Sequence, residues 1–388
     1  MPENSLKNKT DYKRLGDYIR EVDSRNRDLA VTKLMGINIG KFFMPSVANV
    51  IGTDLSNYKV VFRNCFACNL MHVGRDEKIP IALHDTDEKI IISPAYFVFE
   101  ISKPEELLPA YLMMWFRRRE FDRNAWFYTD SDVRGGMSRD AFCDLKLPIP
   151  PLSRQREIVA EYETLTRRIR LNERLISTLE SAAQTLYRRT FVDNIDPAHL
   201  PPGWRTGTLG DVCSFQYGYT ESAAMSPIGP KFLRITDITR KRLSWKSVPY
   251  CSITSANYEK YRLDKGDIVV ARTGASIGWA KQIKGGIPNA VYASFLIRIR
   301  VIRTCLVWLI GFLLESPGFR AFIANNQQGS AQPQANANVI LKYPLILPNE
   351  DFLCEYNQHM GKINRLRYLS ERSIETLECF KDLTLSNL

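Results

Sequence analysis

Two stretches of this chain repeat one another at a nearly constant distance. Leu147-Pro148-Ile149-Pro150 leads into a long, charged helical pattern containing Asn172-Glu173-Arg174. Leu345-Ile346-Leu347-Pro348 leads into a second one containing Ser370-Glu371-Arg372. Pro150 to Pro348 is a step of 198 residues, and Glu173 to Glu371 is again 198. Self-similarity at so long a period means two copies of one folding unit, and usually two copies of one binding surface. A length of 388 residues gives each copy room for its own core. The chain is therefore expected to read something made of two parts.

Each copy opens with the same short signature, Leu15-Gly16-Asp17 and Leu209-Gly210-Asp211, at an offset of 194. β-type runs follow. In the first copy they are Tyr58-Lys59-Val60-Val61-Phe62 and Lys89-Ile90-Ile91-Ile92; in the second they are 267–271 and 295–301. Gly74 and Gly274 mark comparable turns at offset 200, and Tyr96-Phe97-Val98-Phe99 aligns with Phe295-Leu296-Ile297-Arg298 at offset 199. An aromatic-rich helix then ends near Phe121 and Phe319, at offset 198. The offset drifts by only a few residues, so the scaffold persists while its loops diverge. A shared frame with divergent loops suits two sites of different specificity.

The first long helix shows a sustained heptad. Ile158, Tyr162, Leu165, Ile169, Asn172, Ile176, Leu179, Ala183, Leu186 and Thr190 follow at steps of four and three. Asn172 on that seam costs stability and fixes register. Pro150-Pro151 precedes the helix, Ser153 is the expected cap, and Asp196-Pro197 lies beyond its end. The second helix carries Tyr356, Met360, Ile363, Leu366, Leu369, Ile374, Leu377 and Phe380, with a seam that drifts after Ile363. Two equivalent helices in one chain can close on each other as an antiparallel pair; two amphipathic helices on separate cores are the alternative. Residues 193–204 have the Pro, Gly and Asp content of a connector. The expected fold is α+β, with an internal two-fold repeat. Two globular α/β domains, 1–151 and 193–349, are joined by two long antiparallel coiled-coil helices, 152–192 and 350–388.

The charge narrows the partner. Lys and Arg number 53 against 42 Asp and Glu, a net charge of +11, which favours a polyanion such as nucleic acid. The longest apolar run, 305–314, is well short of the roughly 20 residues that a membrane span needs. No signal peptide pattern opens the chain. Eight scattered cysteines without an export signal suggest reduced thiols and a cytoplasmic protein.

Several chemical motifs are present only in outline. Gly274-Ala275-Ser276-Ile277-Gly278 fits a G-x-S-x-G nucleophile elbow, but Gly285-Gly286 and Pro288 follow too soon for the helix that an elbow requires. Cys65-x-x-Cys68 with His72 and His84 offers zinc-type ligands, yet Lys265, Ile268 and Arg272 stand near those positions in the second copy. A metal required by the fold should recur in both copies, so a buried thiol pair is expected instead. Asp76-Glu77-Lys78 and Asp87-Glu88-Lys89 read as charged turns, and no G-x-x-x-x-G-K-[ST] phosphate loop occurs. No Asn/Asp-Pro-Pro-aromatic motif is present, which argues against intrinsic amino-methyltransferase activity. No catalytic and no metal-ligating residue is assigned.

Domain, Pro-ended strand, long heptad helix, and then the same again, resembles the specificity subunit of type I restriction–modification systems. The matching pieces are Leu147-Pro148-Ile149-Pro150-Pro151-Leu152-Ser153-Arg154-Gln155-Arg156-Glu157-Ile158, Leu200-Pro201-Pro202-Gly203-Trp204 with Leu209-Gly210-Asp211, Gly266-Asp267-Ile268-Val269 with 272–278, and Gly329-Ser330-Ala331-Gln332-Pro333-Gln334. Together they span essentially the whole chain. Asn349-Glu350-Asp351 departs from the family, which carries Pro and a later Gln there, and the first copy lacks a counterpart to the glycine-rich 272–278 loop.

The resemblance implies a non-catalytic subunit in which each globular domain is a target-recognition domain for half of a split DNA sequence. The paired helices would set the spacing and dock two adenine-methyltransferase subunits. A translocase–nuclease subunit would complete the complex. S-adenosylmethionine, ATP and Mg would act in the partner subunits, with no cofactor in this one. About 30 helical residues at ~1.5 Å each span roughly 45 Å, close to 13 base pairs at ~3.4 Å per step. Two other readings are a specificity subunit for a fused, type II-like restriction–methylation enzyme and a coiled-coil scaffold that binds proteins.

Phosphate contacts call for Lys and Arg, and base contacts for Arg, Asn, Gln, Ser and Thr that reach a groove. The candidates in the first domain are Lys41, Arg63, His72 and Arg75, with Arg134, Ser138 and Arg139 beside Gly135-Gly136. Those in the second are Gln216, Tyr217, Tyr219, Thr220 and Arg234, with Arg272, Thr273, Ser276 and Lys281 on or beside the glycine-rich loop.

Overall fold

The computed structural model describes residues 12–388, except 47–51, 72, 130–134, 194, 197, 241–242 and 327–334 and the side chains at 74 and 75. The chain divides into two compact units, Met1–Leu171 with Ile374–Leu388, and Asn172–Ser373.

The first unit is built on a four-stranded antiparallel sheet in the order Ile19–Glu21, Phe97–Ile101, Phe66–Cys68, Ile81–Leu83. Its central strands are buried on both faces, so they read as apolar runs rather than alternations. One face packs on the helix Pro109–Phe116, in which Tyr111 to Phe116 are all buried, and on Phe142 of the short helix Arg139–Asp144. Phe66, Phe97, Phe99, Phe116 and Phe142 meet there in stacked and edge-on pairs. Tyr12–Arg14 pairs with Lys146–Pro148 and closes the unit just before the first long helix.

The second unit repeats this plan. Its sheet runs Cys213–Tyr217, Leu296–Val301, Ile268–Ala271, Ala280–Gln282, and Arg205–Thr208 pairs with Pro344–Leu347. The register shows how closely the copies correspond. Ile19 lies opposite Ile101, and Cys213, its partner at offset 194, lies opposite Val301. Hence Ile101 matches Val301 at offset 200, and the expected offset of 199 for Tyr96 and Phe295 is one residue out. A slip of one residue exchanges the faces of a strand, so the distinction is physical. By the same ladders Phe66 matches Ile268 and Leu70 matches Arg272, an offset of 202. The peripheral pairs differ: Lys59–Val61 with Ile90–Ile92 is antiparallel, whereas Lys231–Leu233 with Ala290–Tyr292 is parallel.

The long helices are Leu152–Phe191, of 40 residues, and Glu350–Ser386, of 37. The first therefore starts one residue before Ser153, which cannot be its N-cap. Gln155 does the anchoring instead. It is fully buried, accepts from Leu108 N at 2.9 Å and donates to the carbonyls of Glu106 and Pro150 at 2.7 and 2.8 Å. At the equivalent place in the second unit Leu353 is fully buried, and Asn349 caps the helix by accepting from Phe352 N at 3.0 Å. The departure at 349–351 is thus a change from a polar anchor to an apolar one with a cap.

Within each unit the helix segments run antiparallel. In the first unit Lys381 lies over the Tyr162 ring and Thr384 bonds Glu161; in the second Asn172 bonds Ser373, Arg367 reaches Glu180, and Tyr356 meets Phe191. The coiled-coil segments 152–192 and 350–388 are accordingly not separate bodies, since each contributes one part to each unit.

All ten expected seam residues of the first helix are buried or half-buried. Fully burying an Ile or Leu such as Ile176 or Leu179 contributes about 1.5–3 kcal/mol. The second helix corrects the expectation. Leu366, Leu369 and Phe380 are 49%, 53% and 53% exposed. Its inner positions are Leu353, Tyr356, Met360, Ile363, Arg367, Ser370, Ile374 and Leu377, all buried or half-buried. These positions keep steps of three and four throughout, so the seam does not drift; polar residues occupy its middle.

Candidate nucleic-acid interface

In the second unit the strand Ile268–Ala271 ends in a tightly held loop. Gly274 and Gly278 sit at φ 74° and 77°, a region that strains any side chain, and a Cβ on Gly278 would lie 3.1 Å from Ile323 Cβ. The loop closes through Gly278 N to Ala271 O at 2.9 Å and Trp279 N to Ser276 O at 3.0 Å. Arg272 N donates to Phe295 O at 3.1 Å, and Arg272 O accepts from Ala335 N at 3.0 Å. These bonds, with Gly218 N to Leu296 O at 3.1 Å, bring four segments to one end of the sheet: 216–220, 272–276, 293–295 and 335–337.

The side chains there are specific. The Arg272 guanidinium lies 4.7 Å from the Tyr217 ring centroid, and the Tyr217 hydroxyl accepts from Ala337 N at 3.3 Å. Tyr219 N donates to Tyr292 O at 2.9 Å and its ring packs 5.3 Å from Tyr261. Gly218 permits the approach, because a Cβ there would fall 2.1 Å from Ala293 O. Thr220 is exposed, and Thr273 and Ser276 are half-buried along the loop. Arg234 follows Leu233, whose carbonyl accepts from Ala293 N, so it borders the same end; its guanidinium is bonded to Asp237 at 3.1 and 3.2 Å. Phe295, 60% exposed, was not expected from the sequence, where it reads as a strand residue.

Two candidates in this unit lie elsewhere or are committed inward. The Gln216 side-chain oxygen accepts from Tyr292 Oη at 3.3 Å and from Arg298, so it holds the interior rather than facing a ligand. Lys281 sits opposite Val269, in the middle of the edge strand Ala280–Gln282. With Lys284 and Arg367 it acts on Glu315, whose carboxyl burial pushes up but whose cationic neighbours bring below its ordinary value.

The first unit has the same end of the sheet with different chemistry. Met137 N donates to Leu70 O at 2.8 Å, the counterpart of the bond between Ala335 and Arg272. The connection 69–80 is therefore the counterpart of the glycine-rich loop that the sequence did not reveal. Leu70 stands where Arg272 does. Here the arginine comes from another element: Arg139 donates to both Glu21 oxygens at 3.0 and 2.8 Å and lies 5.1 Å from the Phe97 ring. Ser138 caps that helix by accepting from Ala141 N at 3.1 Å. Leu70, Met71, Ala95, Phe97, Met137 and Arg139 line a hollow of about 390 Å³.

Lys41 and Arg63 do not belong to this end. Lys41 is 5% exposed, donates to Asp122 at 2.7 Å and to the Phe116 carbonyl, and cannot reach a phosphate. Burial lowers the Lys41 ammonium and raises the Asp122 carboxyl, and their mutual attraction opposes both shifts. Arg63 is exposed but paired with Asp87 at 2.9 Å, and it precedes Phe66–Cys68, at the other end of that strand. His72, Arg134 and the Arg75 side chain lie outside the described residues.

The chemical motifs resolve as packing. Cys65 belongs to the cluster with Val61 and Ile90, whereas Cys68 packs with Phe66 and Phe99 on the other face of the sheet. The two thiols thus cannot grip one ion, and burial raises the pKa of both. After Ser276 the chain enters the strand Ala280–Gln282, not a helix, so the elbow geometry is absent there. Among the described residues no single helix is long and apolar enough to cross a membrane.

No family model matches the chain. Two curated proteins do. The type I restriction enzyme MjaVIII specificity subunit of Methanocaldococcus jannaschii is 22% identical over 259 residues, covering 62% of this chain and 60% of that protein. The EcoKI specificity subunit of Escherichia coli is 21% identical over 305 residues, covering 69% of this chain and 65% of that one. The chain thus spans less than two thirds of the length of either relative. Among solved structures, the type I restriction–modification S subunit from M. genitalium superposes with a TM-score of 0.59 at 11% identity, over 96% of this chain and 94% of that one. The family that this chain resembles in sequence, and whose fold it shares, is that of the type I restriction enzyme specificity subunits.

Proposed function

We propose that this chain is the DNA sequence-specificity subunit of a type I restriction–modification complex. Each unit reads one half of a bipartite duplex target. The long helices set the spacing of the half-sites and dock two methyltransferase subunits, and restriction–translocase subunits complete the assembly. The chain itself performs no chemistry; S-adenosylmethionine, ATP and Mg act in the partners.

The observation that carries this reading is one frame with two chemistries. Two sheets of identical order and register hold different side chains at the same end, Leu70 against Arg272 and Glu21 against Phe215. A duplicated catalytic protein needs the same groups twice, whereas a reader of two unlike half-sites needs them to differ. The net charge of +11 suits a phosphate backbone. Leu366 and Leu369, half exposed on the second long helix, offer an apolar surface for a docking partner.

Selection from a randomised duplex library by the chain co-purified with its methyltransferase partner tests the proposal. Two fixed elements separated by a degenerate spacer of constant length are expected. A single uninterrupted motif, or no enrichment over random duplex, contradicts it.

A further inference from the structure

The geometry points to Arg272 as a base-reading residue of the second unit, one that recognises guanine from a platform supplied by Tyr217. This inference rests on the specificity reading above and adds to it one residue, one base and one half-site.

Arg272 stands apart from its neighbours. In the same unit Arg234 is bonded to Asp237, Arg298 to Gln216 and the Arg262 carbonyl, Arg300 to Asp264 and Asp267, Arg303 to Glu350, and Arg320 to the Glu315 carbonyl. The Arg272 guanidinium has no hydrogen-bond partner among the described residues, and its Nε is buried without one. A buried, unpartnered donor costs about 1–3 kcal/mol and needs a reason to persist. The buried Nε is out of a ligand's reach, but the terminal amino groups, which no carboxylate or carbonyl among the described residues occupies, are left for one.

It is also held in a defined place. The backbone of Arg272 is tied on both sides, to Phe295 O and Ala335 N. Its guanidinium lies over Tyr217, which is fixed in turn by the bond from Ala337 N. A guanidinium carries its terminal amino groups as a planar fork. Such a fork matches the O6 and N7 acceptors of guanine in the major groove.

A phosphate could accept the same fork, but the repeat argues against it. The DNA backbone is the same in both half-sites, so a phosphate contact at this position would be served by a cation in both units. The first unit carries Leu70 there, and the arginine at that end, Arg139, is bonded to both oxygens of Glu21. A position that changes from leucine to arginine while the frame around it is kept is suited to reading bases.

The test uses the full chain in its methyltransferase complex, selected on randomised duplexes and then measured by competition on single duplexes. The unaltered complex should enrich a split motif with a guanine in one half-site. R272A should lower discrimination for that guanine by roughly 5- to 150-fold and leave the other half-site unchanged. R272K, which keeps the charge without the fork, should lose the preference as well, and this holds even if R272A folds poorly. Tyr217 is a positioning residue: Y217F, which keeps the ring but loses the bond from Ala337 N, should retain part of the preference, and Y217L should lose it. A uniform loss of affinity over all sequences, with a flatter salt dependence, would assign Arg272 to phosphate and overturn the inference, as would an unchanged motif. Failure of the unaltered complex to select any split motif would instead overturn the specificity reading, and this inference with it.

Discussion

Replacing Lys41 by Met separates a buried clamp from a DNA contact. The Lys41 ammonium is 2.7 Å from Asp122 Oδ1, with side chains 5% and 12% exposed, and it also donates to the Phe116 carbonyl. Asp122 accepts from Ile79 N at 3.3 Å as well, so the pair joins the hairpin turn to two other segments of the first unit. Met fills the volume of Lys but leaves Asp122 buried without its counter-charge. Breaking a buried pair in this way costs about 3–5 kcal/mol. At about 2–4 °C per kcal/mol for a unit of this size, the melting point should fall by about 6–20 °C. The pH dependence has a definite sign. Burial already raises the Asp122 carboxyl above 3.8, and losing Lys41 raises it further. A carboxyl raised on folding favours the protonated folded state, so the penalty should be largest at neutral pH and shrink as pH falls toward 3.8. Lys41→Met with Asp122→Leu removes both charges and should recover all but about 1–3 kcal/mol, the cost of leaving the Ile79 N–H and Phe116 carbonyl unpaired. Calorimetry, with hydrogen exchange across Phe66–Cys68 to assign the transition, measures each step. If K41M melts within about 1 kcal/mol of the parent while losing DNA affinity, Lys41 faces phosphate and the clamp is wrong.

Three further outcomes follow from named contacts. Gly218→Ala drives a Cβ to 2.1 Å from Ala293 O, so it should displace 217–220, cost about 1–3 kcal/mol and degrade selection at one half-site only; a normal motif from a normally stable variant contradicts this. Leu366→Lys with Leu369→Lys should leave melting within about 0.5 kcal/mol yet weaken methyltransferase co-purification, whereas Ile374→Ala should cost about 2–5 kcal/mol; the reverse pattern would move the seam. Glu315 accepts from Gln282 N at 2.8 Å and Lys284 at 2.7 Å, and its cationic neighbours hold its carboxyl below 4.5. Its stabilising effect is present above 4.5 and lost as pH falls through the lower folded value, so Glu315→Gln should flatten stability against pH in acid; parallel curves would exclude that coupling.

What the sequence revealed follows from which forces leave a pattern in it. The first long helix seam was legible residue by residue, because apolar residues at all but Asn172 and Thr190 keep the helical period visible. The second was misread at Leu366, Leu369 and Phe380. There the seam runs through Arg367 and Ser370, where Arg367 finds Glu180 and Glu371 as partners. Apolar periodicity cannot show a seam whose middle is polar. The strand Phe66–Cys68 was hidden because three residues carry no measurable alternation and its cysteines imitate a metal motif. Lys41 looked like a surface cation because its partner lies 81 residues away, and a tertiary ion pair has no local signal. Arg272 and Tyr217 were both picked out by residue type, but their contact, and the lack of any hydrogen-bond partner for the Arg272 guanidinium among the described residues, needed the fold.

Mapping methylated adenines across the genome of cells that express this chain with its methyltransferase partner tests the central claim most directly. The account predicts one split motif, its two parts separated by a spacer of fixed length and each part assignable to one unit by exchanging residues 12–146 or 205–344. Methylation at an uninterrupted motif, or none that depends on this chain, would contradict it.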